Sequence, residues 1–485
     1  MIKRIFLFLG AAILLLVAIL LINTFRKKPW PVYSSQALPP LPDSAVLHLS
    51  QAVQIPTISF TDSTAVDTIS FRAFNSFIER AYPFITEHLS KTFIREFSIV
   101  MEWKGQNASL APFILMSHYD VVPVEESALD KWTVSPFSGK ITDSCIWGRG
   151  TTDDKFGVIS ILEGVEAMLR KGFSPQRTIY LCFGHDEEIS GRGASAIVEY
   201  LKQKNVHPEM VLDEGGQLSE SRIKDVKRPI AVIGVAEKGY VSFELSVEKE
   251  GGHSSMPAKE TAIDILNKAL YHLREKVPPS KMTPELQEFV ERIGTASDNF
   301  INRVAASNLW LFKPIAKSKL AAEPEGDAMM HTTIVPTIIE SGIKDNVIPT
   351  NAHAIVNSRI MPGETAATVE EFIRNAIKDE RVKIKQVGNY NSDPSPVTSL
   401  QSSAFRRVES ALYKNVPKVI PVPYLGIGAT DSRHYRAISD GVVNFFPMTD
   451  ARGYHGINER ISLLDLQRGV AFIMTIIEES GTEFK

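Results

Sequence analysis

Residues 112–120 read PFILMSHYD, and this stretch decides the fold that we expect. Its apolar run, 112–116, is typical of a buried strand, and a histidine and an aspartate follow where the strand would end. Three more apolar runs have the same form, at residues 178–183, 210–212 and 442–446. Between them an apolar helix face repeats at a spacing of three and four residues, at Phe156, Ile159, Leu162, Val165 and Leu169. Apolar strands that alternate with helices predict an α/β domain with a central, mostly parallel sheet.

The composition is that of an ordinary globular protein. The chain has 485 residues, of which 44% are hydrophobic and 22% charged, and this argues against disorder, collagen or a coiled coil. The formal net charge of −3 leaves no basic excess, so we expect no nucleic-acid partner. Cys145 and Cys182 could form one bridge, but we expect both to be small, buried apolar residues.

The N-terminus carries a long apolar segment. Residues 5–22 are apolar without a break and have basic residues on both sides, so the charges do not decide an orientation. As a helix the run would span roughly 27 Å, about one hydrocarbon core. A cleaved signal peptide, which would make the protein secreted, fits less well because the run is long and no small-residue cleavage site follows. We expect residues 1–28 to be a single-pass anchor with the catalytic part outside the cytoplasm. Residues 29–45 would be a stiff, Pro-rich linker that lifts the globular part off the membrane.

The pattern changes after Gly239. Residues 241–247 alternate between apolar and polar, a helical pattern follows, and residues 348–360 alternate again. We therefore expect a smaller α+β domain with two layers at residues 236–393, inserted between catalytic segments 46–235 and 394–485. Residues 278–325 do not fit a compact unit of this kind and predict a helical insertion within it.

Each apolar run leads into side chains that bind metals. The first leads to His118 and Asp120, and a glycine-bounded loop then carries Asp153 and Asp154. The later runs lead into residues 185–188 (HDEE), 213–216 (DEGG) and 454–456 (YHG). Because strand ends in an open α/β sheet border one crevice, these residues should converge. Imidazole and carboxylate without thiolate suit zinc or a similar divalent ion, which would offset the cost of burying several acids.

These motifs resemble the di-zinc metallopeptidase family that includes aminoacylase, glutamate carboxypeptidase and carboxypeptidase S. Within that family they are most similar to carboxypeptidase S and to secreted N-fatty-acyl-amino-acid synthase/hydrolases. The resemblance covers about residues 47–477, and the motifs that carry it are HYD at 118–120, GRGTTDD at 148–154, DEE at 186–188, GHSS at 252–255 and TDSR at 430–433.

The resemblance implies two zinc ions, or another divalent ion such as Co²⁺ or Mn²⁺. Asp153 would bridge the two ions, and the peptide bond between Asp153 and Asp154 would be cis. His118 and Asp213 would complete the protein ligands of one ion, and Glu188 and His455 those of the other.

The resemblance also implies the catalytic residues. Asp120 would orient the His118 imidazole. Glu187 would be the general base that takes a proton from zinc-bound water and passes it to the leaving amine. His253 would stabilise the oxyanion from the partner chain of a homodimer, so the smaller domain would serve as a lid and a dimerisation domain. The other interpretation of His253 is a loop residue that caps the next helix.

Carboxypeptidase-like members also bind a substrate carboxylate. Arg359, the backbone at Gly428 and Thr430, and Asn346 are the candidates, with Arg433 as an alternative to Arg359. The expected function is a membrane-anchored hydrolase that cleaves an amide bond next to a free carboxylate in small peptides or N-acyl amino acids. One alternative is an N-acyl-amino-acid amidohydrolase or synthase rather than a peptidase. The other is a non-catalytic zinc-binding scaffold, which should lack a ligand or the base, and none is missing.

Overall fold

The structure is a computed structural model that describes residues 2–60, 67–220, 223, 225–449 and 452–484. The helices are α1 (Ile2–Arg26), α2 (Asp43–Val53), α3 (Thr68–Ala81), α4 (Pro83–His88), α5 (Lys155–Arg170), α6 (Arg192–Gln203), α7 (Ala262–Glu275), α8 (Pro284–Thr295), α9 (Phe300–Ser307), α10 (Leu309–Leu320), α11 (Pro324–Ala328), α12 (Ala366–Ile377), α13 (Ser403–Asn415), α14 (Ser432–Tyr435) and α15 (Leu463–Glu478). Short 3-10 turns lie at Glu126–Lys131, Glu187–Ile189 and Glu479–Gly481. The strands are β1 (Ser90–Ile94), β2 (Ser98–Trp103), β3 (Phe113–His118), β4 (Lys140–Ile141), β5 (Cys145–Trp147), β6 (Ile179–Gly184), β7 (Met210–Asp213), β8 (Gln217–Ser219), β9 (Ile230–Glu237), β10 (Gly239–Glu248), β11 (Gly252–His253), β12 (Thr333–Ser341), β13 (Val347–Ile348), β14 (Asn351–Ile360), β15 (Lys383–Ser392), β16 (Ile420–Gly426), β17 (Val442–Asn444) and β18 (Arg460–Ser462).

The larger unit is built on a mixed sheet in the order β1-β2-β6-β3-β7-β17-β9-β16, with β8 paired to β9. The four middle strands β6, β3, β7 and β17 are parallel, as the apolar runs predict. The expectation of a mostly parallel sheet is wrong for the flanks. β1 and β2 form an antiparallel hairpin, which needs only a short turn, and β9 runs against β17. Helix α5 packs under the middle strands, and most of its residues are buried.

The second unit is a four-stranded antiparallel sheet in the order β12-β14-β10-β15. Helices α7 and α12 share one apolar core with this sheet, formed by alternate residues of β10 and β14 and by Ile265, Leu266, Val369 and Ile373. The alternating patterns that begin after Gly239 thus form a two-layer α+β unit. A two-residue ribbon, β11 with β13, extends from it.

The insertion predicted at 278–325 is helical and comprises α8 to α11. It packs away from the second unit's core, because Ile293 of α8 forms an apolar cluster with Ile420 and Val422 of β16. Since β16 is an edge strand of the central sheet, the insertion covers an edge that would otherwise be open to pairing.

The Pro-rich segment between α1 and α2 is extended, but it does not hold the globular part away from α1. The Arg228 guanidinium donates to the carbonyl oxygens of Trp30 (2.9 Å) and Pro31 (2.7 Å), and the ring of Tyr33 lies 3.8 Å from that of Tyr413. Farther along, the Gln467 amide donates to the Pro39 carbonyl at 2.7 Å. The expected spacer is therefore wrong, because aromatic and guanidinium groups of the larger unit fix the segment to its surface.

Helix α1 is long and apolar enough to cross a membrane, with a mean hydropathy of 3.3 over its best window and none of that window buried. A signal sequence has the same properties. Both cysteines are free, and Cys182 is buried, but Cys145 is only half-buried, contrary to the expectation for it. Cys145 lies at the start of β5, in a small sheet at the surface.

Candidate active site

Four of the five residues predicted to bind metal come together at the carboxyl ends of the parallel strands, and Glu214 lies with them. His118 is the last residue of β3, Glu188 lies in the 3-10 turn after β6, and Glu214 follows β7. Asp153 lies just before α5, and the Asp153–Asp154 peptide bond is cis, as expected. His455 comes from the loop between β17 and β18 and has a positive φ of 54°.

Two groups of possible ligands share the Asp153 carboxylate. In one group, the His118 Nε2 atom lies 3.0 Å from Asp153 Oδ1 and 3.1 Å from Glu214 Oε1. In the other group, the His455 Nε2 atom lies 2.6 Å from Asp153 Oδ2 and 3.3 Å from Glu188 Oε2. One oxygen of Asp153 therefore faces each group, as a carboxylate that bridges two cations would.

The structure differs from the sequence-based prediction at one ligand position. Glu214, and not Asp213, lies in the His118 group. The Asp213 Oδ2 atom instead accepts hydrogen bonds from the Thr430 hydroxyl (2.8 Å) and the Ser432 amide (3.0 Å). The buried Asp213 carboxylate also interacts electrostatically with His118, so it lies beside this group without being one of its members.

Asp120 connects the first histidine to the loop that carries the predicted base. Its Oδ1 atom lies 3.2 Å from His118 Nδ1 and accepts from the Glu187 amide at 3.1 Å. Its Oδ2 atom accepts from the Glu188 amide at 3.2 Å and from the Ser59 hydroxyl at 2.7 Å. Because Asp120 is fully buried and all these contacts are satisfied, it fixes the imidazole and the loop relative to each other.

Glu459 is a site residue that the sequence reasoning missed. This buried carboxylate accepts from Arg149 Nη1 at 2.5 Å, from the Thr152 amide and hydroxyl at 2.9 Å, and from the Asp153 amide at 3.3 Å. Arg149 also donates to the Gly456 carbonyl at 2.9 Å. Glu459 and Arg149 thus join the loop of Asp153 to the loop of His455. The available signal was an acid four residues after a predicted ligand, opposite the arginine of the glycine-bounded loop.

The acidic side chains of the site outnumber the positively charged side chains around them. Burial raises the pKa of Glu187 well above its usual range, and the carboxylates of Asp431, Glu214 and Glu188 raise it further. Burial and the neighbouring acids Asp153 and Asp154 raise the pKa of Glu214 in the same way. Hydrogen bonds to Asp153 and Glu188 raise the pKa of His455 to about 10. The crevice therefore attracts positive charge.

The residues present fit a pair of divalent cations. The donors are imidazole nitrogens and carboxylate oxygens, the set that suits zinc. In addition, the Glu188 Oε1 atom is buried and has no hydrogen-bond partner among the described residues. An unpaired buried carboxylate oxygen of this kind is expected where a cation binds.

His253 and Asn346 lie beside each other, on the ribbon of the second unit. The Ser254 amide donates to the Asn346 carbonyl at 3.2 Å, and His253 pairs with Val347. The His253 ring is exposed, and its Nδ1 atom accepts from the amide (3.1 Å) and hydroxyl (2.8 Å) of Ser255. In this chain its hydrogen bonds stay within its own turn.

The other predicted substrate-binding residues lie elsewhere. Arg359 pairs with Tyr240 at the far end of β14, roughly 27 Å along the strand from Asn351, and its guanidinium lies 4.6 Å from the Tyr240 ring centre. Gly428 is exposed, and nothing lies within 4 Å of a Cβ added there. The Thr430 amide donates to Glu237 at 2.7 Å, so Thr430 uses both its amide and its hydroxyl within the protein.

Comparison with known proteins identifies the class. The family description "Peptidase family M20/M25/M40" matches residues 114–479, and the chain belongs to this family of metal-dependent peptidases and amidohydrolases. The recognition from the motifs is confirmed, and the protein is an enzyme of the hydrolase class.

The relatives that the chain resembles carry two kinds of name. It is 39% identical over 443 residues to "Probable carboxypeptidase S-like 2" of Dictyostelium discoideum, covering 89% of this chain and 84% of that protein. It is 34% identical over 449 residues to "N-fatty-acyl-amino acid synthase/hydrolase PM20D1" of Homo sapiens, covering 90% and 87%.

Two solved structures share the fold. An M20 family metallo-carboxypeptidase, Sso-CP2 of Sulfolobus solfataricus, superposes with a TM-score of 0.64 at 18% identity, covering 90% of this chain and 99% of that chain. Human carnosine dipeptidase 1 superposes with a TM-score of 0.62 at 16% identity, covering 91% and 96%.

Proposed function

We propose that this M20 enzyme is a membrane-anchored, dinuclear zinc hydrolase that cleaves an amide bond next to a free carboxylate. The observation that carries the proposal is the Asp153 carboxylate, whose two oxygens face two separate His–carboxylate groups. His118 and Glu214 would hold one ion, Glu188 and His455 the other, and Asp153 both. Glu214 takes the place that the sequence analysis gave to Asp213.

Zinc at this site supplies Lewis-acid activation of a carbonyl and of water. Glu187 is the residue of the chain that moves the proton: it accepts one from the attacking water and delivers it to the leaving amine. Burial and the neighbouring carboxylates raise its pKa, and a higher pKa makes a carboxylate a stronger base. Asp120 positions Glu187 through the Glu187 amide and holds the His118 ring at the same time.

We propose further that the oxyanion is stabilised by His253 of a second copy, within a homodimer. The His253 ring is exposed, and its Nδ1 atom bonds to the amide and hydroxyl of Ser255 in its own chain. Large apolar side chains of the same unit are exposed, among them Met256, Ile339, Ile343 and Val347. An exposed set of this kind fits an interface between copies.

The substrate carboxylate would be bound by Arg359 and the loop of Gly428 and Thr430, together with Asn346 of the partner subunit, because Asn346 lies beside His253 and far from Arg359 in one chain. An arginine suits a carboxylate because it can donate two parallel hydrogen bonds. Since Thr430 already uses its own donors, its part in binding is to hold the loop, while the exposed backbone at Gly428 can approach a ligand.

The substrates we propose are N-acyl amino acids and small peptides. The names of the relatives, carboxypeptidase S-like and N-fatty-acyl-amino acid synthase/hydrolase, support both classes. A hydrolase that releases an amino acid and a fatty acid can also join them, so the synthase direction belongs to the same proposal. Helix α1 would anchor the enzyme, with the catalytic part outside the cytoplasm, and cleavage of this helix as a signal would release it.

The experiment that tests the proposal combines metal analysis with a substrate comparison. We expect two zinc ions per purified chain, loss of activity on chelation, and recovery with Zn²⁺, Co²⁺ or Mn²⁺. Dipeptides and long-chain N-acyl amino acids assayed side by side separate the two substrate classes. A protein that binds zinc but cleaves no member of a broad amide panel would instead be the non-catalytic scaffold.

A further inference from the structure

The helical insertion is joined to the last two turns of α1 by a buried polar contact. The Asn308 side chain, fully buried between α9 and α10, donates to the Leu20 carbonyl at 3.1 Å and accepts from the Asn23 amide at 2.9 Å. Lys27 forms an ion pair with Glu291 of α8, and the ring of Phe25 lies 6.1 Å from that of Phe300. The insertion therefore lies at the level where α1 ends.

One face of α10 beside this junction is apolar and exposed. Trp310 is 61% exposed and Ile315 is 54% exposed, and Leu311 and Pro314 lie on the same helix face at the spacing expected for it. On α9, Ile301 is 74% exposed and follows Phe300, which contacts the end of α1. The apolar surface thus continues from α1 onto the insertion. We call the exposed set Phe300, Ile301, Trp310, Leu311 and Ile315 the insertion face.

Basic residues border the insertion face. Arg26 and Lys28 follow the apolar part of α1, and Lys313 and Lys319 lie on α10 next to the apolar residues. An apolar surface with tryptophan and a basic border is typical of a helix that lies in the headgroup region of a membrane. A cavity of about 630 Å³, whose lining includes Phe289, Ile293, Leu309 and Phe312, shares Ile315 with the insertion face and Lys319 with its basic border.

We propose that the insertion face lies on the bilayer that holds α1, with Trp310 at the headgroup level. The proposal rests on the membrane anchoring proposed above. If a bilayer core takes up about 20 residues of α1, Asn23 and Thr24 come near its boundary, and Asn308 and Trp310 with them. The packed Pro-rich segment keeps the larger unit against the same boundary. The enzyme then sits on the membrane surface, where lipid-like substrates with acyl chains are concentrated.

Quenching of tryptophan fluorescence by brominated lipid tests the proposal on the full chain. The protein is reconstituted into phosphatidylcholine vesicles, with and without phosphatidylserine, that carry bromine near the headgroup or deeper in the acyl chain. We expect the wild type to lose emission most with shallow bromine, and Trp310→Phe to lose most of that quenching. The matched control Trp147→Phe, which removes a ring that packs on Arg460, should quench like the wild type. Vesicles with phosphatidylserine should quench the wild type more strongly than vesicles without it. The double variant Lys313→Glu, Lys319→Glu should show no such difference.

Flotation of the vesicles separates this inference from the anchoring. If the chain floats with the vesicles but Trp310→Phe quenches like the wild type, the anchor stands and the insertion face is not on the bilayer. If the chain does not float, both proposals are overturned. If quenching is unchanged and Trp310→Glu turns a dimer in detergent into a monomer, the face is an interface between copies. Every variant should still cleave an N-acetyl amino acid. This activity shows that each variant is folded, and it tests the proposed hydrolase function separately from membrane contact.

Discussion

The residues assigned to catalysis fall in two regions that are built in opposite ways. The metal-binding region, at the ends of β3, β6 and β7, consists mainly of buried acids and a buried histidine that are fixed by Asp120 and Glu459. The tip of the second unit, the ribbon β11–β13, presents His253 in an exposed turn, where its Nδ1 atom bonds to Ser255. One region is buried and held together by contacts within a single chain, and the other faces outward.

Under the proposal, this difference separates the residues that a chain supplies to its own site from those that it supplies to the site of a second copy. A buried carboxylate cluster needs cations and a rigid frame, and the strand ends provide that frame within one chain. An exposed histidine on a two-residue ribbon has few contacts to fix it, so it gains a defined position only when a second surface covers it.

Glu187→Gln should have the largest effect and tests the metal-binding region alone. The amide keeps the shape of the side chain but cannot take a proton from water, so we expect kcat to fall by about 10²- to 10⁴-fold. Zinc content, measured by mass spectrometry, should stay at the wild-type value because Glu187 lies in neither ligand group. Turnover equal to that of the wild type would remove Glu187 as the base.

His253→Ala should have the next largest effect and tests the exposed tip. Loss of one oxyanion donor lowers kcat by about 10²- to 10³-fold, and we expect this fall with the zinc content unchanged. If His253 acts on the partner's site, mixed dimers of the His253→Ala and Glu187→Gln chains should regain activity. In such a dimer one site has both Glu187 and a His253 from the other chain. Mixing that restores nothing, with mixed dimers verified by two affinity tags, would place His253 outside the partner's site.

Glu214→Gln and Asp213→Asn form a matched pair at adjacent positions. Because Glu214 lies with His118 and Asp153, its change should weaken binding of one of the two zinc ions by about 100-fold, measured by competition with a chelator. Asp213→Asn should keep both ions, since its carboxylate bonds to Thr430 and Ser432. The reverse outcome would restore the ligand set that the family resemblance implied.

The sequence predicts those parts of the molecule that depend on local patterns. The four apolar runs form β3, β6, β7 and β17, and His118, Asp153, Glu188 and His455 meet because they follow such runs or the loops between them. The choice between Asp213 and Glu214 as the ligand stays a prediction, because both acids follow β7 and the sequence does not specify which carboxylate reaches a cation. Glu459 and the packed Pro-rich segment were missed because their partners, such as Arg149 and Tyr413, lie about 300 to 400 residues away in the chain.

A half-buried histidine, His434, and an exposed one, His272, give the last and smallest test of the comparison. Burial and the neighbouring Arg433 lower the pKa of His434 to about 4, against about 6.5 in an unfolded chain. The folded state therefore binds the proton less readily than the unfolded state. The stability that follows is fully present above about pH 6.5 and is lost as the pH falls toward 4.

From pH 7 to pH 5 the free energy of unfolding of the wild type should fall by about 1–2 kcal/mol more than that of His434→Gln, measured by denaturant titration. His272→Gln removes an exposed histidine of α7 in the second unit and should follow the wild-type curve. Because both variants keep all the metal ligands, acid release of the ions affects them equally and cancels in the difference. A parallel course for the wild type and His434→Gln would mean that His434 titrates in the folded protein as it does in water. Water would then reach the side chains behind the strand ends of the larger unit. The metal-binding region and the exposed tip would differ less in solvent exposure than the structure indicates.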